Sequence, residues 1–345
     1  MSVHPPVLVP GFRHRVAEHA ASGALRDLLE HDRLSYEPEP LSEGAVFGLC
    51  AGLDLRVRIA GAAVPAIDIE GRVPTPELNL CRHLGLEARW SATDDAGEAW
   101  AMLHAELDAG RPTLVRADIA ELDYRDCSRH DTRHAIVVLS HDPEAGVVWV
   151  ADGAFPEPQR CTLNSLAAAR RSQGWPEPAR HALLRLHPSQ RLNDPRVAIA
   201  AALKTTVIGM RRLRPREHPH VKTGLDGIDA LTRAWAQLPA MAGERLDSTL
   251  QCLSYRIREG GTGGALYRTL HARFLHEAAA LLGSPQLGQA ALVCDDLADA
   301  WRALAGALRE QDAGFAHRAA GTWVQRICDL EHCHVEALQA HLATH

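Results

Sequence analysis

The stretch HAIVVLSHDPEAGVVWVAD, residues 134–152, decides the reading of this chain. Two apolar runs, Ala135 to Ser140 and Val147 to Ala151, flank the turn-forming residues Asp142, Pro143 and Gly146 and predict an antiparallel hairpin. At the open end of such a hairpin, His134 and Asp152 become direct or diagonal cross-strand neighbours. A carboxylate beside an imidazole fixes its tautomer and stabilises its cation, which a base serving a Cys or Ser nucleophile requires. A structural histidine beside an unrelated turn aspartate fits the pattern equally well.

Around the hairpin, Pro112 to Ile119 and Ala182 to Leu186 predict further strands. Pro76 to Leu84 and Asp94 to Ala109 predict helices, the second capped by Thr93 or Asp94 and ended by Gly110. The alternation Leu53, Leu55, Val57, Ile59 reads as a strand, and the glycines flanking Cys50 imply a tight turn or a close backbone approach. Ala21, Ala24, Leu25, Leu28 and Leu29 recur at helical spacing and predict a mostly buried first helix from His19 to Leu34.

Beyond Pro188 the texture becomes helical: Val197 to Met210, Leu225 to Leu238, Leu266 to Leu282, Leu287 to Leu308 and Trp323 to His341, with no strand expected. The expectation is an α+β domain over residues 1–190 with an antiparallel sheet, then an all-α domain over residues 191–345. Their boundary falls in the polar stretch Ser189 to Pro195.

A hydrophobic content of 46% over 345 residues supports a packed core and about two domains. The net charge of −6 supplies no basic field for a phosphate backbone, so nucleic acid is not an expected partner. Eight cysteines without a CxxC pair read as reduced thiols. The first twelve residues lack a signal-peptide pattern and no apolar run approaches about 18 residues, so a cytoplasmic protein without a membrane span is expected.

A papain-like (cysteine-peptidase-like) site takes its nucleophile from the start of the first buried helix, where the helix dipole lowers a thiol pKa. Here that helix opens His19, Ala20, Ala21, Ser22, Gly23, Ala24, Leu25, Arg26, Asp27, Leu28, Leu29. The run resembles the first helix of the BtrH-like family, named for butirosin biosynthesis protein H, which reads H-C-x-S-x-A-L-R-N/D-L-L. The likeness continues in Leu41, Ser42, Glu43, in Phe47 to Leu53, in Asp118 to Tyr124, in His134 to Val138, and in Val150, Ala151, Asp152. It extends into Gly260 to Arg268 of the helical domain that usually follows.

The resemblance implies a papain-like N-terminal domain and amide-forming transfer of an acyl or aminoacyl group to a small-molecule amine. The donor it implies is a phosphopantetheine thioester on an acyl carrier protein, in specialised-metabolite or antibiotic biosynthesis. By that match His134 is the general base, Asp152 orients it, and Ala20 stands where the family has its Cys nucleophile. A methyl group forms no thioester, so three readings of Ala20 stay open: a natural scaffold that has lost its chemistry and binds a carrier protein, peptide or metabolite; a variant inactivated by substitution to trap a complex; or direct attack of the amine with His134 as base. A cyclase or hydrolase on the same scaffold differs only in the acceptor. Ser22 lies about 200° around the helix from Ala20 and is a poor replacement.

Cys50 is a second candidate nucleophile, weighed against a small buried residue. His14 stands about where papain-like folds place an oxyanion donor, and His19, Asp118 and Tyr124 join it as expected substrate-side residues. Gly261, Thr262, Gly263 and Gly264 precede a helix expected to begin near Ala265 and could hold a pantetheine phosphate, or merely let two helices approach. The run Glu331, His332, Cys333, His334 invites a metal, but consecutive helical residues diverge, so no metal site is expected. No bound cofactor is expected, and a homodimer is allowed for.

Overall fold

The computed structural model describes residues 9–61, 63, 65–187, 191–211, 220–259 and 262–344. In chain order the first half runs α1 (Ala20–His31), α2 (Glu43–Leu49), β1 (Leu53–Ile59), β2 (Ile67–Arg72), α3 (Pro76–Leu84), β3 (Glu87–Ser91) and α4 (Ala96–Asp108). Then come β4 (Thr113–Ala117), a 3-10 turn (Ile119–Glu121), β5 (His134–Asp142), β6 (Val147–Ala151), β7 (Gln159–Thr162), α5 (Leu163–Arg171) and β8 (Leu183–His187). The remainder is α6 (Pro195–Arg211), β9 (Val221–Thr223), α7 (Gly224–Trp235), α8 (Leu238–Ala242), a 3-10 turn (Gly243–Arg245), α9 (Leu246–Arg258), α10 (Arg268–Leu282), α11 (Pro285–Ala307) and α12 (Ala313–Thr344). The chain is α+β, with antiparallel sheet toward the N-terminus and a mostly helical C-terminal region.

Two compact units emerge, and they do not follow a single cut near residue 190. The first takes residues 1–43 and 84–192; the second takes residues 44–83 and 193–345. The segment around Cys50, read from sequence as part of the N-terminal domain, therefore packs within the helical unit. The reason is visible in its burial: Phe47 and Leu53 form a core cluster with Tyr267 and Leu270. Gly48 explains the close approach its neighbours predicted, since a Cβ there would lie 1.9 Å from the Phe274 ring.

The first unit is built on a six-stranded sheet in the order β3-β8-β4-β5-β6-β7. Alternating residues of β5 and β6, Ile136, Val138, Val148 and Val150, share one core with Leu103 of α4 and Leu166 of α5. Each such aliphatic side chain contributes about 1.5 to 3 kcal/mol by leaving water. Helix α1 packs against β5, with Leu25, Leu28 and Leu29 buried.

The second unit holds a three-stranded antiparallel sheet, β2-β1-β9, and the longest helices. The strand β9 corrects the expectation of a strandless second half. It is three residues long, too short for alternation to register, and pairs Arg56 with Thr223 and Arg58 with Val221. Helix α10 starts at Arg268, not near Ala265, because Leu266 and Tyr267 take positive φ and interrupt the helix. Along α11 the buried residues Leu287, Ala290, Ala291, Cys294, Leu297, Ala298 and Trp301 follow helical spacing toward α12. Ser284 caps its start, with Pro285 in the first turn.

Candidate active site

The hairpin delivers His134 and Asp152 to one face only through an irregularity. From the turn outward the strands pair Asp142 with Val147, His141 with Val148 and Ser140 with Trp149; a bulge follows, and Val138 then pairs with Val150 and Val137 with Ala151. Extending the outer register by one step sets Asp152 opposite Ile136, so His134 lies two residues along the same face. Without the bulge Asp152 would oppose Val137 and point away from His134. The contact is direct: His134 Nε2 lies 2.9 Å from Asp152 Oδ2, with the histidine side chain 11% exposed.

Asp152 is the most heavily bonded group of the site. Its Oδ2 also accepts from Arg125 Nη1 at 2.6 Å and Tyr124 Oη at 3.0 Å, while Oδ1 accepts the Ala154 amide. Burial alone would raise its pKa, but the His134 and Arg125 charges and hydrogen bonds hold it well below the usual carboxylate range. Arg125 Nη1 lies 3.1 Å from His134 Nε2 but sends its hydrogen to Asp152 along the shorter 2.6 Å contact, so the ionised carboxylate also takes the Nε2 proton of His134; when the ring is neutral, its Nδ1 lone pair is left to take a proton from a reacting group. Tyr124 is locked in its role: burial and the neighbouring Asp152 push its phenol pKa up, so it stays a donor. Its ring meets Phe155 edge to face and packs against the sheet core.

The start of α1 is tied to this pair by the segment before it. The Ala17 amide donates to the Gly153 carbonyl at 2.8 Å, one residue after Asp152 and three before Ala20. Gly23 and Gly153 make room: a Cβ on either would come within 3.0 Å of Ala17 Cβ. Ala20 is the first residue of α1 and is only partly buried. Glu43 accepts the Glu18 and His19 amides, so two amides ahead of the helix have a carboxylate partner.

His14 is a clamp and not the oxyanion donor expected from its position. Its Nδ1 lies 2.7 Å from Asp27 Oδ2, and its Nε2 lies 2.9 Å from the Phe155 carbonyl and 3.2 Å from that of Asp152. Carbonyl and carboxylate oxygens only accept, so both nitrogens carry protons and the ring is a cation. Burial opposes that charge, but Asp27 and the two carbonyls outweigh it and raise the pKa. Arg26 and Asp27 are a buried structural pair, 2.8 Å apart. His19, expected on the substrate side, is the N-cap of α1: its Nδ1 accepts from the Ser22 amide. Ser22 is buried against His19 and Glu43 and offers no replacement nucleophile.

Asp118 corrects an expectation, while at Cys50 and at the glycine run the structure decides for the structural reading of the two weighed. Asp118, expected near substrate, is fully buried and knots a loop: Ala120 and Asp131 amides bond Oδ1 while Ser172 and His130 bond Oδ2. Cys50 is wholly enclosed in the other unit, and burial with Glu77 and Cys81 nearby pushes its thiol well up, the opposite of an activated nucleophile. Thr262 gives its hydroxyl to the Ile257 carbonyl at 2.6 Å, and Gly263 and Gly264 lead into Leu266 and Tyr267 without starting a helix there. Gly261 lies outside the described residues. Arg125 went unread in the sequence, although it directly follows Tyr124 in the segment singled out.

Fold and site together define an α+β protein with a preorganised histidine–aspartate pair on its sheet and a helix start bonded to the same loop. Residues 164–338, half of the chain, match the family described as Domain of unknown function (DUF4872), and the chain belongs to it. Residues 19–153 match Butirosin biosynthesis protein H, N-terminal, a match that implies a papain-like fold; the two matches together make this a BtrH-like protein. The curated proteins contain no match to the chain. Among the described residues no helix is long and apolar enough to cross a membrane.

Proposed function

We propose that this chain is an amide-forming acyltransferase that moves an acyl or aminoacyl group from a phosphopantetheine thioester on a carrier protein to an amine. The observation that carries the reading is the His134–Asp152 pair, held by Tyr124 and Arg125 with the Nδ1 side of the imidazole left to act. With Ala20 at the helix start, transfer is direct. The amine nitrogen attacks the thioester carbon, the new C–N bond forms as the C–S bond breaks, and the amine proton passes to His134 Nδ1. The imidazolium then returns it to the departing pantetheine thiolate. Thioesters are already activated, and holding both reactants in line removes about 7 kcal/mol or more of barrier.

A second reading rests on Ala20 itself: a scaffold that keeps the site to bind a carrier protein, peptide or metabolite. Intact-protein mass spectrometry of this chain and of Ala20→Cys separates the two, each incubated with an acyl-loaded carrier thioester and a panel of amines. Amide product from this chain, with no acyl adduct and lost on His134→Ala, supports direct transfer. Adduct and turnover confined to Ala20→Cys make the chain a binding scaffold, and no reaction from either removes the acyltransferase reading.

A further inference from the structure

We propose that the helical unit carries a zinc-type divalent metal site formed by Asp229, Cys328 and His332. Cys328 and His332 are four residues apart on α12 and share one face of it, which looks onto Asp229 of α7. Asp229 Oδ1 lies 2.9 Å from His332 Nε2 and 3.5 Å from Cys328 Sγ, and all three donor atoms fall within 4.8 Å of one another. This revises the expectation of no metal, which considered only Glu331, His332, Cys333 and His334. Of those four, Glu331 and His334 point into the core and Cys333 is exposed. His332 alone turns toward α7, and its partners come from other parts of the sequence.

Two of the three ligand edges lie at or near those of a metal site, and the sulfur–nitrogen edge, within 4.8 Å, closes on binding by about 1.3 Å at most. Zinc bonds of about 2.3 Å to sulfur and about 2.0 Å to nitrogen and oxygen, set tetrahedrally, require donor atoms about 3.3 to 3.6 Å apart. The oxygen–sulfur edge already has that length, and the oxygen–nitrogen edge needs to open by only a few tenths of an ångström. Two helices supply the ligands, so little chain has to be ordered on binding. The charges also close: a dication is balanced by the Asp229 carboxylate and a Cys328 thiolate, with His332 neutral and the thiol proton released to water. Carboxylate, thiol and imidazole are a zinc donor set, poor in the oxygen ligands that calcium or magnesium require. The His332 and Asp229 side chains are 40% and 33% exposed, which leaves the fourth position to water.

The test uses the full chain, stripped with chelator and titrated with zinc, metal being counted by mass spectrometry after desalting and affinity read by competition with a chromophoric chelator. One equivalent bound, with at least tenfold weaker binding in Asp229→Asn, Cys328→Ser and His332→Gln and no change in Cys333→Ser, is expected. Cobalt in place of zinc gives a thiolate charge-transfer band that Cys328→Ser abolishes. Loss of stoichiometric zinc from the unmodified chain on desalting overturns the proposal, as does a cobalt–thiolate band that survives Cys328→Ser. If a variant fails to fold by circular dichroism, the unmodified chain still decides: zinc raises its melting temperature if the site exists and leaves it unmoved if not.

Discussion

In the sheet unit, His14 and His134 each face an aspartate, at 2.7 and 2.9 Å. In the helical unit, His271 and His334 meet edge to face with ring centroids 5.2 Å apart, both fully buried, and among the described residues none of their nitrogens reaches a side-chain hydrogen-bond partner. The Ala290 carbonyl lies beside His334 and favours its charged form, but by less than burial and Arg268 oppose it. Burial and the nearby Arg268 cation hold His334 down to about 4, and burial with the His334 and Arg268 neighbours drives His271 down as well. One side chain thus plays opposite parts. With an acceptor it becomes a cation or an aimed base; without one it is a neutral, ring-shaped filler of the core. A chain with twenty histidines cannot be read for function by counting them, only by finding which have a carboxylate within reach.

The largest effect expected from this contrast is on transfer. His134→Ala should lower the rate of amide formation by about 10²- to 10⁴-fold, and Asp152→Asn should lower it as well by releasing the tautomer. His334→Phe should leave it within about twofold. Equal losses in both histidine variants, measured as amide product per enzyme under saturating donor, would break the comparison.

Next in size is the ion pair beside the neutral histidines. Arg268 and Glu331 are 2.7 Å apart with both side chains at 0% exposure, and Trp301 donates to the same carboxylate oxygen. Such a pair adds little net stability over an apolar replacement, yet removing one member strands a buried charge. Glu331→Gln should therefore cost about 3 to 5 kcal/mol in urea unfolding, while leaving the ratio of activity to folded protein unchanged. A cost below about 1 kcal/mol would mean water reaches the pair.

Much of this was legible in sequence, and the limits are physical. The helix α1, the hairpin and the nearness of His134 and Asp152 along it follow from periodicity and turn chemistry. Their contact does not: the extra residue between Val138 and Ser140 leaves no mark in a run of aliphatic side chains, and a regular ladder would have set the pair on opposite faces. Arg125 and the His14–Asp27 clamp depend on loops whose course no period encodes. The assignment of residues 44–83 to the helical unit depends on Gly48 meeting Phe274, more than two hundred residues away. Local pattern specifies elements; contacts made by loops and by distant chain segments specify the site.

The neutral histidines also predict an acid limb. In the unfolded chain His334 takes up a proton near 6.5, whereas in the fold it does so only near 4. Between those values the unfolded state binds more protons, so stability falls as pH falls. Each pH unit in that window is worth about 1.4 kcal/mol, giving a loss of about 3 kcal/mol between neutrality and pH 4. His334→Phe should flatten this limb in urea titrations at pH 7, 5.5 and 4.5; an unchanged slope would assign the acid sensitivity elsewhere.

His14 predicts the opposite sign. Its folded-state pKa is raised above 6.5 by Asp27 and the Asp152 and Phe155 carbonyls, against the pull of burial. The clamp is then at full strength below about 6.5 and weakens as pH rises through the folded value, because there the folded state binds more protons than the unfolded one. His14→Gln keeps a donor but no charge, so it should cost about 1.5 to 3 kcal/mol at pH 6, the worth of hydrogen bonds to a charged group, and progressively less at higher pH. The clamp bonds the Asp152 carbonyl, so loosening it should also slacken the His134–Asp152 pair. The expected signature is a transfer rate in His14→Gln that is reduced at pH 6 and converges on the unmodified chain's rate as pH climbs. A pH-independent stability difference would show that His14 is neutral in the fold and acts by packing alone.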